Sequence, residues 1–239
     1  KLIITSVNAI VQRTINKKFI HENIISFSVN QKIEFNKFIL KLLTLGYERT
    51  SVVRDKSEFA IRGSIIDIFI VGYIQPIRID FFDEKIESIH FFDIITQIRS
   101  NKLEDKIFYI YTSRELLLND KSISLFRKNF RHLFSNYRLS QLYHSFSDSI
   151  IPPGGEQFLP IFLENMDTIF SFLKETKIIL TPQFNNLLIL RIENINDFYN
   201  ARKNLNENFF LEPKKLFLTK NEFLKNLEKF NIINLLEFK

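Results

Sequence analysis

The 239-residue sequence has no cysteine and no tryptophan, and only one methionine, five glycines and six prolines. Without cysteine there are no disulfides, thiolate zinc ligands or cysteine nucleophiles, which fits a cytoplasmic setting. No run of about 18 uncharged apolar residues occurs, so no segment reads as a membrane span. The glycines (Gly46, Gly63, Gly72, Gly154 and Gly155) form no G-x-x-x-x-G-K-[ST] phosphate loop, and none precedes a lysine. The histidines (His21, His90, His132 and His144) show no spacing of four residues and no H-E-x-x-H motif, which removes the zinc-hydrolase pattern. A G-x-S-x-G nucleophile elbow is also missing. Asp80, Asp83, Glu84 and Glu87 crowd one turn, but such acidic turns are ordinarily solvated. The residues therefore predict no catalytic constellation, metal or cofactor.

What is present is ordinary for a soluble globular chain: 45% hydrophobic and 25% charged residues, enough for one large domain or two small ones. The abundance of Phe, Ile, Asn and Lys reads as nucleotide bias and not as disorder. The formal charge of +6 is unevenly spread. Residues 1–45 carry seven Lys/Arg against two acids, residues 46–100 seven against nine, and residues 101–239 nineteen against sixteen. A basic chain invites a nucleic-acid reading, here through segment 1–45, yet the excess is thin. The apolar start without Met suggests a piece of something longer.

Three zones follow from pattern. Leu2–Thr5 reads as a strand and is followed by a short helix ending near Arg13, with no partner strands nearby. From about Asn23 to Ser100, a strand over Asn23–Val29 precedes a helix carrying Ile33, Phe35, Phe38, Ile39, Leu42 and Leu43, stopped at Gly46. The period then switches to two over Phe59–Arg62, Ile65–Ile70, Ile77–Phe82 and Ile86–Phe92, with turns between. This predicts an antiparallel meander with the helix packed on one face. The third zone is mainly helical, with a stripe of Ile123, Phe126, Phe130 and Phe134, further helical patterns at Phe158–Leu163 and Met166–Leu173, and short strands at Ile178–Leu180 and Leu216–Thr219.

Alternation within the meander exposes an irregularity. Ile77, Ile79 and Phe81 share one strand face; Arg78, Asp80 and Phe82 share the other. Phe82 thus falls where a polar residue is expected, and Arg62 lies on the corresponding face of its own strand, opposite Phe59 and Ile61. Phe91 and Phe92 likewise cannot both point inward. An outward aromatic beside arginines fits an interface hot spot, with Arg62 able to grip a partner carboxylate. Equally, a second layer could cover this face, or Phe82 could be one exposed apolar residue among many.

Leu45-Gly46-Tyr47-Glu48-Arg49 and Glu58-Phe59-Ala60-Ile61-Arg62-Gly63-Ser64-Ile65-Ile66-Asp67-Ile68-Phe69 lead a series of motifs. Pro76–Phe82, Ile86–Ile89, Phe92-Asp93 and Thr96-Gln97 continue it. Together they resemble the UvrB-homology module of the transcription-repair coupling factors and, more distantly, domain 2 of UvrB. Ser6–Arg13, Pro153–Phe162 and Met166–Phe170 are similar to the family's flanking motifs in the same order. Departures fall at Ser64, Ile70, Asp83-Glu84 and Phe158.

The resemblance implies an α+β chain. Residues 1–22 would end a degenerate ATPase-like domain 1a, residues 23–100 would form a UvrB domain 2-like, UvrA-interacting domain, and residues 101–239 a mostly helical, domain 1b-like region. It further implies a UvrA-recruiting role in transcription-coupled nucleotide excision repair, with Arg62, Arg78 and Phe82 as the UvrA-contacting residues. ATP and magnesium are implied only for a helicase-like motor outside these residues. RNA polymerase and DNA would be met only through other parts of a full-length factor. The alternatives are a nucleic-acid-binding domain using segment 1–45, or a structural fragment of a UvrB-like ATPase.

Overall fold

The computed structural model describes residues 2–103, 106–205 and 209–236 and has the mixed α+β character expected. It forms two compact units, one of residues 18–119 and one of residues 1–17 with 120–239. The expected pieces 1–22, 23–100 and 101–239 are thus grouped differently, for reasons that lie in long-range packing. Within the described residues, no helix is long and apolar enough to cross a membrane.

The chain starts with α1 (Val7–Ile10) and β1 (Arg13–Ile15). Leu2–Thr5 is not a strand: among the described residues no strand pairs with it, and Leu2, Ile3 and Ile4 stand in solvent. The unit of residues 18–119 is entered through α2 (Lys17–Glu22). It continues with β2 (Ile25–Phe27), α3 (Phe35–Thr44), β3 (Glu48–Arg49), β4 (Glu58–Arg62) and β5 (Ile65–Ile68). β6 (Ile77–Phe82), β7 (Lys85–Phe92), β8 (Arg99–Lys102) and β9 (Phe108–Ile110) complete it. The strand order in the main sheet is β3-β4-β5-β6-β7-β8, antiparallel throughout except for the short β3–β4 pairing.

α3 buries Phe38 and Leu42 and ends as its sequence predicts. The amide of Gly46 donates to the Leu43 carbonyl and that of Tyr47 to the Leu42 carbonyl, each at 3.0 Å. This is the Schellman pattern, which needs a left-handed residue after the helix; Gly46 supplies it at φ +86°. Tyr47 then turns into the same core as Leu42. The sheet face toward α3 carries Phe59, Ile66, Ile68, Ile77, Ile79, Phe81, Ile86 and Ile89, all buried. Residues 101–119 belong here because β9 pairs with β2 and brings Phe108 to stack on Phe27, ring centres 5.4 Å apart. A register shift between Asp80 and Phe81 places Ile86 opposite Phe81 and Ser88 opposite Asp80. That bulge breaks the strict alternation read over Ile86–Phe92, leaving Glu87 exposed and Ile86 in the core.

In the other unit, α4 (Asp120–Leu133) and α5 (Gln141–Ser147) flank an aromatic cluster. Phe126 stacks on Phe162 at 4.5 Å, and Phe130 and Phe146 pack beside it. Gly155–Ile161 is a 3-10 helix, and a side chain at Gly155 would collide with the Phe146 ring. Met166–Leu173, expected as a helix, splits into β10 (Met166–Thr168) and α6 (Ile169–Phe172). β11 (Lys177–Leu180) follows as expected, and then α7 (Phe184–Asn204), which the sequence pattern did not reveal. α8 (Pro213–Leu216), α9 (Lys220–Leu227) and β12 (Asn231–Asn234) complete the unit. The strand expected at Leu216–Thr219 reduces to one bridge between Phe217 and Gln12.

The amino-terminal residues join this unit through distant partners. Ile10 and Val11 are buried with Leu188, Leu218 and Phe223, and β1 pairs with β10. Arg13 donates to both carboxylate oxygens of Glu222, at 2.8 and 3.0 Å.

Tyr47 provides a titration that reports on the core of the sheet unit. Burial pushes its hydroxyl up to about 12, against a hydrogen bond from the Val71 amide that pulls the other way. An unfolded chain ionises this group near pH 10, whereas the fold keeps its proton until about pH 12. Its contribution is therefore complete below pH 10 and is lost as pH rises toward 12, by roughly 2–3 kcal/mol. Melting curves across that range should decline less steeply for Tyr47→Phe than for the wild type. Equal slopes would show that Tyr47 is not the titrating group.

Candidate functional site

The sheet face turned away from α3 holds all three residues singled out by alternation. Registers align Arg62 with Ile65 and Asp80, and align Ala60, Asp67, Arg78 and His90 in a row across four strands. Phe82 ends β6 opposite Lys85, where Asp83 and Glu84 close a two-residue hairpin with Asp83 at φ +52°. Its ring is 69% exposed while the adjacent Phe81 lies in the core. The Phe91-Phe92 pair divides the same way, with Phe91 packed against the main core and Phe92 on the outer face.

The two arginines behave differently. Arg62 is exposed at the Gly63-Ser64 turn, and its Nη2 donates to Gln97 Oε1 at 3.3 Å. The Arg78 side chain is only 14% exposed and the Asp67 side chain facing it 1%. Arg78 Nε and Nη2 donate to the two Asp67 oxygens at 2.7 and 2.8 Å. Nη1 donates to the Gln97 carbonyl at 3.3 Å, and the guanidinium lies 4.9 Å over the Phe92 ring. The hydrogen bond to Asp67 holds the Arg78 pKa above its usual value, against the opposing effect of burial. Both arginines thus converge on Gln97, which places them on one side of the sheet.

The remaining polar groups form a strip along β6–β8. The Ser88 hydroxyl bonds Asp80, and His90 lies between Ser88 Oγ and the Ser100 carbonyl, at 3.1 and 3.0 Å. Arg99 Nη1 lies 3.6 Å from Asp80. A small second cluster of Val53, Ala60, Phe69 and Phe92, with Ile94 against it, covers part of this face. A covering layer therefore exists, but it stops short of Phe82.

This geometry revises one sequence reading. Arg78 was expected to project as freely as Arg62, yet it is bound into the fold by a buried carboxylate. Sequence reasoning also missed Asp67, Phe92 and Gln97 as neighbours of the site. Asp67 carried a usable signal: it is the one charged residue in Ile65-Ile66-Asp67-Ile68-Phe69, and a carboxylate in such a strand needs a partner. Gln97 carried none, since only the folded turn brings it to the arginines.

A family described as the UvrB interaction domain matches residues 25–115, which lie wholly within the sheet unit. The transcription-repair-coupling factor of Rickettsia typhi is 32% identical over 241 residues, covering 98% of this chain and 21% of the relative. That of Haemophilus influenzae is 27% identical over 227 residues, covering 94% and 20%. The chain is similar to transcription-repair-coupling factors over nearly all of its length. It spans about a fifth of the length of these relatives. The Escherichia coli transcription-repair-coupling factor matches over 173 residues at 28% identity, covering 72% of the chain and 15% of the relative. Arg62, Arg78 and Phe82 all fall inside the residues that match the UvrB interaction domain.

Removing one member of a buried ion pair leaves the other charge without compensation, at a cost of about 3–5 kcal/mol. Asp67→Ala and Arg78→Ala should both lower unfolding free energy by about that amount in urea titrations, whereas Arg62→Ala should stay within about 0.5 kcal/mol of wild type. An Arg78→Ala protein as stable as the wild type would contradict the structural role given to this pair.

Proposed function

We propose that the UvrB interaction domain of this chain recruits UvrA for transcription-coupled nucleotide excision repair. The observation that carries the reading is a well-exposed phenylalanine, Phe82, on the same sheet face as Arg62 and Arg78. Large aromatic and arginine side chains dominate binding energy at protein interfaces, and an exposed ring of this size on a strand costs solvation unless something covers it. Arg62 offers a guanidinium with one long hydrogen bond, free to exchange Gln97 for a carboxylate of the partner. Arg78, neutralised by Asp67, positions this face through its contacts with Phe92 and the Gln97 carbonyl.

On this reading the segment works by binding, without a cofactor or catalytic group of its own. ATP-driven motion, RNA polymerase and DNA would be handled by other parts of a full-length coupling factor. The nucleic-acid alternative draws less support from residues 1–45. That segment is divided between the two units, and several of its cations face acids: Arg13 with Glu222, Lys18 with Glu22, and Lys37 with Glu34.

Phe82→Ala and Arg62→Ala should each weaken UvrA binding by about 1–3 kcal/mol with the melting temperature unchanged. Calorimetric titration of purified UvrA measures this, and Arg78→Ala is a poorer probe because it also disturbs folding. Affinity should fall only gently with salt, unlike the steep loss that accompanies phosphate contacts. If the Phe82→Ala/Arg62→Ala protein still binds UvrA as the wild type does, the reading fails.

A further inference from the structure

The turn that carries Gln97 presents two aliphatic side chains that the three-residue site leaves unused. Ile95 is 91% exposed and Ile98 69%. Isolated exposed isoleucines are common, but these two stand on a segment built to hold them outward. Asp93 Oδ1 accepts from the amides of Ile95 and Thr96, at 3.0 and 2.8 Å, and from the Thr96 hydroxyl at 3.0 Å. The Asp93 amide donates to the Ile98 carbonyl, and the Gln97 amide to the Asp93 carbonyl. The bonds to Oδ1, that from the Thr96 amide foremost, lower the pKa of the Asp93 carboxyl. Ile94 anchors the turn on the cluster beneath.

Gln97 closes the turn in the left-handed region, at φ +59°, a conformation that glycine and asparagine adopt more readily than glutamine. Its Nε2 donates to the Ile94 carbonyl at 2.8 Å, which orients Oε1 toward Arg62, while its carbonyl receives Arg78. The turn is therefore continuous with the arginine surface through hydrogen bonds at both guanidinium groups.

We infer that Asp93–Ile98 is a further contact element of the UvrA-binding surface, with Ile95 and Ile98 entering an apolar hollow of the partner. Gln97 is the positioning residue that couples this turn to Arg62 and Arg78. The inference rests on the UvrA reading above. Charge supports the same occupant. The Asp93 carboxylate is turned onto its own amides, Asp67 is committed to Arg78, and Asp80 is engaged by Ser88. Beside the isoleucines stand two cations: Arg62, held by Gln97 Oε1, and the 60% exposed Arg99 side chain, whose Nη1 lies 3.6 Å from Asp80. The complementary surface is apolar with carboxylates at its rim. A turn already closed in its binding conformation spends little entropy on docking.

The test titrates purified UvrA against the full 239-residue chain. Ile95→Ser/Ile98→Ser should bind about ten-fold more weakly, as expected for losing two interface contacts, with an unchanged melting temperature. Ile95→Ser alone, at the more exposed position, guards against an effect of folding and should lose several-fold. Gln97→Gly, which keeps the left-handed backbone, should also bind several-fold more weakly while melting no lower than wild type. If the isoleucine variants bind like the wild type while Arg62→Ala binds more weakly, this inference is overturned and the UvrA reading stands. If the wild-type chain does not bind UvrA at all, both fall together.

Discussion

The Asp67–Arg78 pair ties the outer face of the sheet together. Asp67 sits in the middle of an apolar strand and is almost fully removed from water. A carboxylate in that position is tolerable only with a partner that satisfies both oxygens, and the guanidinium across β5–β6 does so with two near-parallel bonds. Because such a pair gains energy only in one geometry, it selects the register in which Asp67 faces Arg78. One residue of slip would exchange the core and solvent faces of the shifted strand. The same guanidinium rests on Phe92 and reaches the Gln97 carbonyl, so strand register, the outer cluster and the 93–98 turn are positioned by one contact set.

The three conspicuous side chains consequently divide their duties. Arg78 is chiefly an internal strut whose charge is balanced by Asp67. Arg62 and Phe82 stand at the ends of neighbouring hairpins, where short turns allow a side chain to project. The bulge beside Asp80 serves this arrangement: it restores Ile86 to the core after the hairpin while leaving Phe82 outward. Bulges commonly re-aim side chains in this way near functional surfaces.

The second unit shows what non-local contacts contribute. Residues 7–15 are covered by groups roughly 150 to 210 positions away along the chain, among them Met166–Thr168, Leu218 and Glu222. Closing such a loop costs entropy that grows only slowly with its length, so two or three good contacts suffice to recruit the amino-terminal segment. α7 is a related case. Phe184, Leu188 and Ile195 are buried, while Leu187, Leu190 and Phe198 lie in solvent. Apolar residues on opposite sides of a helix cancel the periodic signal that marked α3 and α4.

By itself the sequence determined the elements whose pattern is strong. α3 with its Gly46 stop, the β4–β7 meander and the inward and outward sides of β6 follow from side-chain periodicity, because burial on one face is a local property of alternating residues. It also placed Arg62, Arg78 and Phe82 on one face of the sheet. Only the tertiary structure decided which of them are free. Whether a cation is spent on an internal carboxylate depends on strand register across the Phe69–Pro76 connection, and no local pattern encodes that. The role of Gln97, the bulge at Asp80 and the recruitment of residues 1–17 by distant partners arise likewise from contacts between segments far apart in the chain, whose energies exist only once the fold has brought them together.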